Sequence, residues 1–508
     1  MINMDSKDSI LFWIDSVWSQ FAFAKFLQEK HDADFYAISD LSIKNTNFLN
    51  KQKIVTFKKI WHIRDNQELK SGNLIDLNYL KTIEEKFGIN IWSIVYADRY
   101  FYKYNLYHNF SRNEILQLVQ AECKLYEQII DEIKPSFLII YPFNDFRQEL
   151  LYKMCKRKGT RIMTLSYTRI NYKFMLSEIT DKTDQKFIFD STDDDVPAKS
   201  FEELNEYFKK YPKIVKQYVK NKNPFKEKLK IGFSFFLKTY NSEYKKLYRN
   251  IGRTRFNIFK NEINIIYNSY LVKNFFKKNS LTKISFKENF IYFPIHFEPE
   301  RSITDPALYY TNQIELITHI AKSLPVDYCL CVKEHPAQSL TGWKNLDFYK
   351  QIHKLPNVKL LHPAFSQEDI LQKCSLVITI VGSTGMEALL YQKPVITFGD
   401  TIYSEISSVN KVTDITTLPE LIQNSLKQKV NLKELNAFVQ FIDQNSFDYE
   451  FLEIQKFIED TIFEGGFLDS EITHDKLNLL FKTHKSSFEL VANEYVKKIE
   501  YFHDLNKK

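Results

Sequence analysis

Apolar positions in the first part of the chain form short runs separated by stretches of helical period. ILFWID (10–15) is apolar until Asp15 and reads as a buried strand. Val17 to His31 reads as an amphipathic helix, DFYAISD (34–40) as a second strand, and IVTFKKI near residue 54 as another. SRNEILQLVQAECKLYEQIIDEI (111–133) spaces its apolar residues three and four apart, so a long helix is expected, ended by Pro135. SFLIIYP (136–142) predicts a buried strand, 145–159 a helix closing on Gly159, and RIMTLSY (161–167) the next strand. Strands alternating with helices imply a mostly parallel sheet covered on both faces.

A second series begins near residue 288. FIYFPIHF (290–297) reads as a strand, NQIELITHIAKSL (312–324) as a helix stopped by Pro325, and YCLCVKEHP (328–336) as a strand running into a loop. Ser366 opens a short helix with Glu368 and Asp369 in its first turn. SLVITIV (375–381), GSTGMEALLYQ (382–392) and PVITFG (394–399) predict strand, turn and helix, then strand. Between the series, 200–285 is helical, basic and poorly patterned. The expected organisation is a first lobe (1–200), a basic connector (201–285), a second lobe (286–415) and a helical tail (416–508). The expected fold class is therefore α/β, with two Rossmann-type lobes facing a central cleft.

Composition narrows the classes. The 508 residues are 44% hydrophobic and 15% aromatic, which excludes a disordered chain. No window approaches the ~20 apolar residues of a membrane span, and the first ten residues are polar. A cytoplasmic protein is expected, free or held at the inner face of the cell membrane. The five cysteines form no CxxC pair and are expected to be buried thiols, with Cys329 and Cys331 on one face of a strand. No metal or cofactor is expected. The net charge of +7 is uneven: 209–278 carries +16 and the rest −9. Interleaved Phe and Tyr fit this segment to an anionic membrane surface or a polyanionic glycan. No nucleic-acid motif accompanies it. Plain solvated helices are the bland alternative.

Four groups of residues carry candidate chemistry. In SLVITIVGSTGMEALLYQKPVITFG a buried strand ends at Gly382, and Ser383, Thr384 and Gly385 turn directly into a helix. Unpaired N–H groups at such a terminus bind phosphate, and Glu387 in the first turn can cap it or reach a ribose hydroxyl. An ordinary strand–helix junction would look similar. Lys333, Glu334, His335 and Pro336 follow another strand; His335 can donate to a phosphoryl oxygen and Lys333 adds charge. A structural histidine is the alternative there. His296, Glu298, Glu300 and Arg301 leave the first strand of the second series, with the first three on one side of an extended chain. Asp145, with Glu149, heads the helix after SFLIIYP and is a candidate catalytic carboxylate as well as a natural N-cap. Asp98 and Arg99 are weaker candidates for the same cleft.

Together FPIHFEPERS, VKEHP, TIVGSTGMEALLYQKPVITFG and FGDTIY (398–403) resemble the capsule polysaccharide biosynthesis family that contains the bacterial Kdo transferases. The resemblance covers roughly 286–405 and extends weakly to 136–175. It implies the two-lobed GT-B architecture, the second lobe binding the nucleotide and the first the acceptor. It also implies that His335 and the Ser383/Thr384 turn contact the nucleotide phosphate. Glu298 departs from the glutamine expected in many relatives. The expected function is transfer of a sugar from a nucleotide donor, a CMP-activated acidic sugar such as Kdo or sialic acid, to a surface polysaccharide or lipid-linked glycan. Asp145 is the first choice for the carboxylate, then Glu298 or Glu300. The rivals are a CDP-polyol phosphate transferase of the teichoic-acid type, a sugar-nucleotide epimerase, and a non-enzymatic scaffold of capsule assembly.

Overall fold

The computed structural model describes residues 7–63, 74–98, 101, 108–142, 145–171, 173–190, 199–208, 254–283, 288–298, 307–338, 342–463 and 470–507. Two parallel sheets organise them. The first contains β1 (Ser9–Asp15), β2 (Asp34–Asp40), β3 (Lys59–His62), β4 (Phe137–Ile140), β5 (Arg161–Tyr167) and β6 (Lys173–Ser177). Their spatial order is β3-β2-β1-β4-β5-β6, parallel except for β6. The second contains β7 (Asn289–Pro294), β8 (Tyr328–Lys333), β9 (Val358–Leu361), β10 (Leu376–Thr379), β11 (Val395–Thr397) and β12 (Val409–Lys411). It repeats the order, β9-β8-β7-β10-β11-β12, with every pair parallel. This is the doubly wound Rossmann arrangement in both lobes. The strand order reverses between β1 and β4, and again between β7 and β10.

Alternation along β1 shows why its sequence is a continuous apolar run. Ile10, Phe12 and Ile14 enter one core, while Leu11 and Trp13 enter the other. A strand covered on both faces has no polar side until it ends, here at Asp15. The helix Arg112–Ile133 begins at a capping box formed by Ser111 and Glu114, as S-x-x-E predicts. Phe146–Arg157 begins at Asp145, whose side chain accepts from the N–H groups of Arg147 and Gln148. Ser366 likewise caps Gln367–Lys373 through the Asp369 N–H. All five cysteines are free and buried, Cys329 and Cys331 in the same core.

Several boundaries differ from expectation. The strand expected near residue 54 starts only at Lys59, because the Gln52 side chain accepts the N–H groups of Ile54 (2.7 Å) and Val55 (2.9 Å). That local bonding competes with a strand ladder. The helix expected from Val17 starts at Ser19, after Trp18 in a left-handed conformation (φ 62°). β7 stops at Pro294, and the His296 N–H is taken by Gln313 Oε1 (2.7 Å) instead of a neighbouring strand. Within the connector, Phe201–Phe208 and Arg255–Asn279 are helices; residues 209–253 lie outside the described residues.

The structure distributes 416–508 between the lobes. Leu418 and Ile422 pack in the second lobe. The chain then returns through β13 (Phe447–Asp448), which adds antiparallel to β6. The helices His474–Thr483 and Lys485–Lys507 cover the first lobe, with Phe488, Val491 and Tyr495 in one core with Phe23 and Phe26. Near the end, His503 and His31 both meet Asp8 Oδ2, at 3.0 and 2.9 Å. No described helix is long and apolar enough to cross a membrane.

Candidate functional site

In open α/β sheets ligands bind beyond the carboxyl ends of the strands, where the strand order reverses. In the second lobe those ends belong to β7 and β10. His296, just past β7, is buried beneath the turn that follows β10. Its Nε2 accepts from the Ile380 N–H (3.2 Å) and meets Thr379 Oγ1 (3.0 Å), so the ring proton sits on Nδ1. Burial, then the charges of His335, Arg169 and Lys344, push its pKa down to about 3. A neutral His296 therefore pins the end of β7 to the turn from below, and Thr379 Oγ1 also accepts the Gly382 N–H (3.1 Å).

The turn is closed by small residues for specific reasons. A Cβ on Gly382 would lie 2.8 Å from Thr379 Oγ1 and 3.0 Å from His296 Cε1. A Cβ on Gly385 would collide with the Tyr403 hydroxyl, which donates to the Gly382 carbonyl. The helix Ser383–Leu390 thus starts with Gly382 as its N-cap and no side chain capping it. Ser383 is exposed, and Thr384 Oγ1 accepts from Gln367 Nε2 (3.0 Å). The Gly385 N–H turns back to the Gly382 carbonyl (3.1 Å), and the Ser383 and Thr384 N–H groups stand at the position of the orphan donors of a helix start.

The VKEHP segment flanks this turn. Lys333 is buried, and its Nζ reaches Gln367 Oε1 at 3.4 Å, so Gln367 joins it to Thr384. Burial pushes the Lys333 pKa down to about 8, while the Glu387 carboxylate works to raise it. Glu387 is half-buried in the same helix. His335 is exposed, with its ring against that of Phe297. Its Nδ1 accepts the Ala337 N–H (3.2 Å), which leaves the proton on Nε2, available as a donor. Packing around the ring, then the Lys344 and Lys333 cations, lower its pKa. Glu334 points the other way: fully buried, it pairs with Lys344 (3.0 Å) and accepts from Tyr349 (2.6 Å). Lys344 also donates to the His296 carbonyl (2.8 Å), so one buried cation ties the ends of β7 and β8 together. Pro336 forms the exposed turn after His335. Glu298 accepts from Gln313 Nε2 (2.6 Å), and its backbone exchanges hydrogen bonds with Gln338. Glu300 and Arg301 lie outside the described residues.

Arg169 carries no signal in the sequence, yet it reaches this turn from the first lobe. It sits between β5 and β6 at φ 63° and donates from Nη1 to the Val381 carbonyl (2.8 Å). Nearby, Lys182 pairs with Asp400 (2.6 Å) and the Phe187 N–H bonds Glu405 (2.7 Å), so the two lobes meet along this edge.

In the first lobe the corresponding strand ends present Asp15 as the last residue of β1 and Asp40 as the last of β2, with Asp145 following β4. Arg147 donates from Nη2 to Asp40 Oδ2 (2.8 Å) and from Nε (3.1 Å) and Nη2 to Asp145 Oδ2. Asp145 is thus committed to the cap and to Arg147. Asp15 is half-buried. Burial raises its pKa to about 6; the Val17 N–H (2.9 Å) works against this, and the Asp40 and Asp145 carboxylates add to it. Asp98 is buried and accepts the N–H groups of Phe101 (3.0 Å) and Phe146 (2.8 Å), fixing the start of the helix that Asp145 caps. Arg99 lies outside the described residues. Among the described residues no group of three or more His, Cys, Asp or Glu is arranged to hold a metal ion. A cavity of about 290 Å³ opens elsewhere, between β6, residues 444–447 and the last helix, and none of these candidates lines it.

Residues 311–451 match the family described as Capsule polysaccharide biosynthesis protein, the family that the motifs resemble. The stretch includes VKEHP and the Gly382 turn. No curated protein matches the chain. Among solved structures, the chain is similar to Thermosulfurimonas dismutans KpsC, beta Kdo 2,7 transferase, at 14% identity over 73% of this chain and 92% of that one, with a TM-score of 0.29. It is also similar to UDP-GlcNAc 2-epimerase from Neisseria meningitidis bound to UDP-GlcNAc, at 8% identity over 86% and 99%, TM-score 0.25. The Methanocaldococcus jannaschii UDP-GlcNAc 2-epimerase in complex with UDP-GlcNAc and UDP stands at 12% identity over 86% and 100%, TM-score 0.25. These likenesses are remote, and the two strand orders stand on the pairing described above.

Proposed function

We propose that the chain is a glycosyltransferase of capsule assembly that moves a sugar from a nucleotide donor to a surface glycan. The observation that carries this reading is an uncapped helix start at Ser383, an exposed His335 with its proton on Nε2, and the Lys333 cation beside the reversal point of a six-stranded parallel sheet. Such a set stabilises negative charge on a departing phosphate. His296, Gly382, Gly385 and Tyr403 hold the turn in the shape that exposes its N–H groups. Glu387, in that helix, is the candidate for a ribose hydroxyl, and Glu298 is kept as a second-choice carboxylate. The donor favoured by the family resemblance is a CMP-activated acidic sugar, and the acceptor is a glycan or a lipid-linked glycan. The phosphate is neutralised by this chain's own donors, so the reading requires no metal.

A carboxylate is also needed to take the acceptor's proton or to attack the sugar carbon. Asp145 and Asp15 both lie at the first lobe's reversal point. Asp15 suits proton transfer better, because its raised pKa brings it closer to neutrality and Asp145 is already engaged by Arg147. The test is a thermal-shift panel of CMP-, CDP- and UDP-donors with parent protein and His335→Ala. The expected result is stabilisation of the parent by one nucleotide class and a loss of roughly 1.5–3 kcal/mol of binding in the variant. A folded His335→Ala that binds as tightly as the parent would remove His335 from the site. Preference for a CDP-polyol would favour polyol-phosphate transfer, and no response to any donor would favour the scaffold reading.

A further inference from the structure

The helix Arg255–Asn279 is apolar on two opposite faces. One face is used by the second lobe. Val272 and Phe276 are buried in its core, and Asn268 donates to the carbonyls of Trp343 (3.2 Å) and Lys344 (3.0 Å). At ~100° per residue, Phe256, Phe259, Ile263, Ile266, Tyr267 and Tyr270 fall within an arc of about 100° on the other side. These six are 73, 65, 49, 60, 63 and 64% exposed. Single exposed apolar residues are ordinary, but six large ones in a continuous stripe mark an interaction surface.

The charges select the partner. The exposed Lys260, Lys273, Lys277 and Lys278 border or extend the stripe, and the helix carries five cations against one acid. A second copy of the chain would set this net-positive helix against itself. A hydrated anionic glycan would satisfy the lysines and give Ile263 and Ile266 no reason to be uncovered. An anionic bilayer satisfies both, taking up the side chains at the acyl boundary and the lysines at the headgroups. We propose that this stripe docks the protein on an anionic membrane surface, with the helix lying in the plane of the interface. The proposal stands on the helix alone and is independent of the transfer reaction.

The test is sedimentation of the full chain with vesicles of phosphatidylcholine, with and without phosphatidylglycerol. The informative variant combines Phe259→Ser, Ile263→Ser and Tyr267→Ser, three solvent-facing changes whose folding is checked by circular dichroism. The parent is expected to bind the anionic vesicles, less well as salt rises. The triple variant should lose roughly tenfold or more of that affinity. The proposal is overturned if the parent fails to bind anionic vesicles at low salt. It is equally overturned if the triple variant binds like the parent, since charge alone would then suffice. Self-association lost in the triple variant, with no vesicle binding, would assign the face to a second copy.

Discussion

Replacing Asp15 by Asn separates the chemistry of this carboxyl from its cost to the fold. The carboxyl is raised from 3.8 to about 6, with burial as the main cause. A group whose folded pKa is raised in this way binds its proton more tightly in the folded chain than in the unfolded one. The folded state is therefore penalised once the carboxyl ionises, and stability falls as pH rises between the two values. Linkage with those values gives a penalty of about 3 kcal/mol at about pH 7.5 and about 1 kcal/mol at about pH 4.5. Asn keeps the oxygen that accepts the Val17 N–H and cannot ionise. Asp15→Asn is expected to be more stable than the parent by up to this amount near pH 7.5, with most of the gain gone near pH 4.5. Urea unfolding followed by tryptophan fluorescence reports on the right region, because Trp13, Trp18 and Trp61 are buried in the first lobe. If Asp15 also takes the acceptor's proton, the same variant loses turnover roughly 100-fold or more. An unchanged or lowered stability at neutral pH, or an equal gain at both pH values, would refute the argument that Asp15 is held in a charge-averse crevice.

Two further outcomes follow from the geometry. Gly385→Ala should destabilise the second lobe and abolish nucleotide binding, because the new methyl meets the Tyr403 hydroxyl; adding Tyr403→Phe should recover part of the stability, read by thermal melting. Burial works to raise the Asp8 pKa, but the hydrogen bonds from His31 and His503 outweigh it and leave it below 3.8. That contribution is present above the ordinary carboxylate pKa and lost as pH falls through the lower folded value, so Asp8→Asn should be destabilising at neutral pH and less so in acid, read by urea unfolding at the two pH values.

The legibility of this chain in its sequence followed the range of the interactions. β1 and β8 are visible because a strand buried on both faces is a nearly uninterrupted apolar run. The capping residues Asp145 and Ser366 are visible because capping is local. The strand orders were not, since nothing near Ile10 records that it lies opposite both Phe35 and Phe137. β6 and β9 are only five and four residues long and carry too little pattern. The final helix reads only as part of a helical tail, and its partner lies more than 450 residues away in sequence, as the bond from His503 to Asp8 shows.

The same division holds in the candidate site. The Gly382 turn and VKEHP announce themselves by composition at strand ends. His296 reads as a polar group leaving a strand, whereas its engagement with Thr379 and Ile380 places it under the turn as support. Arg169 reaches Val381 only because the β5–β6 hairpin meets the other lobe. Asp15 had an available signal, a carboxylate ending a wholly apolar strand, which points to the same strand-end rule that singled out His335.

The central claim is that a donor nucleotide sits on the Gly382 turn of the second lobe. A crystal structure with the nucleotide selected by thermal shift tests it directly. The account predicts a phosphate within hydrogen-bond reach of the first N–H groups of the helix Ser383–Leu390 and of His335 Nε2. A nucleotide bound instead against Asp15 and Arg147 in the first lobe, or clear of both strand reversals, would contradict it.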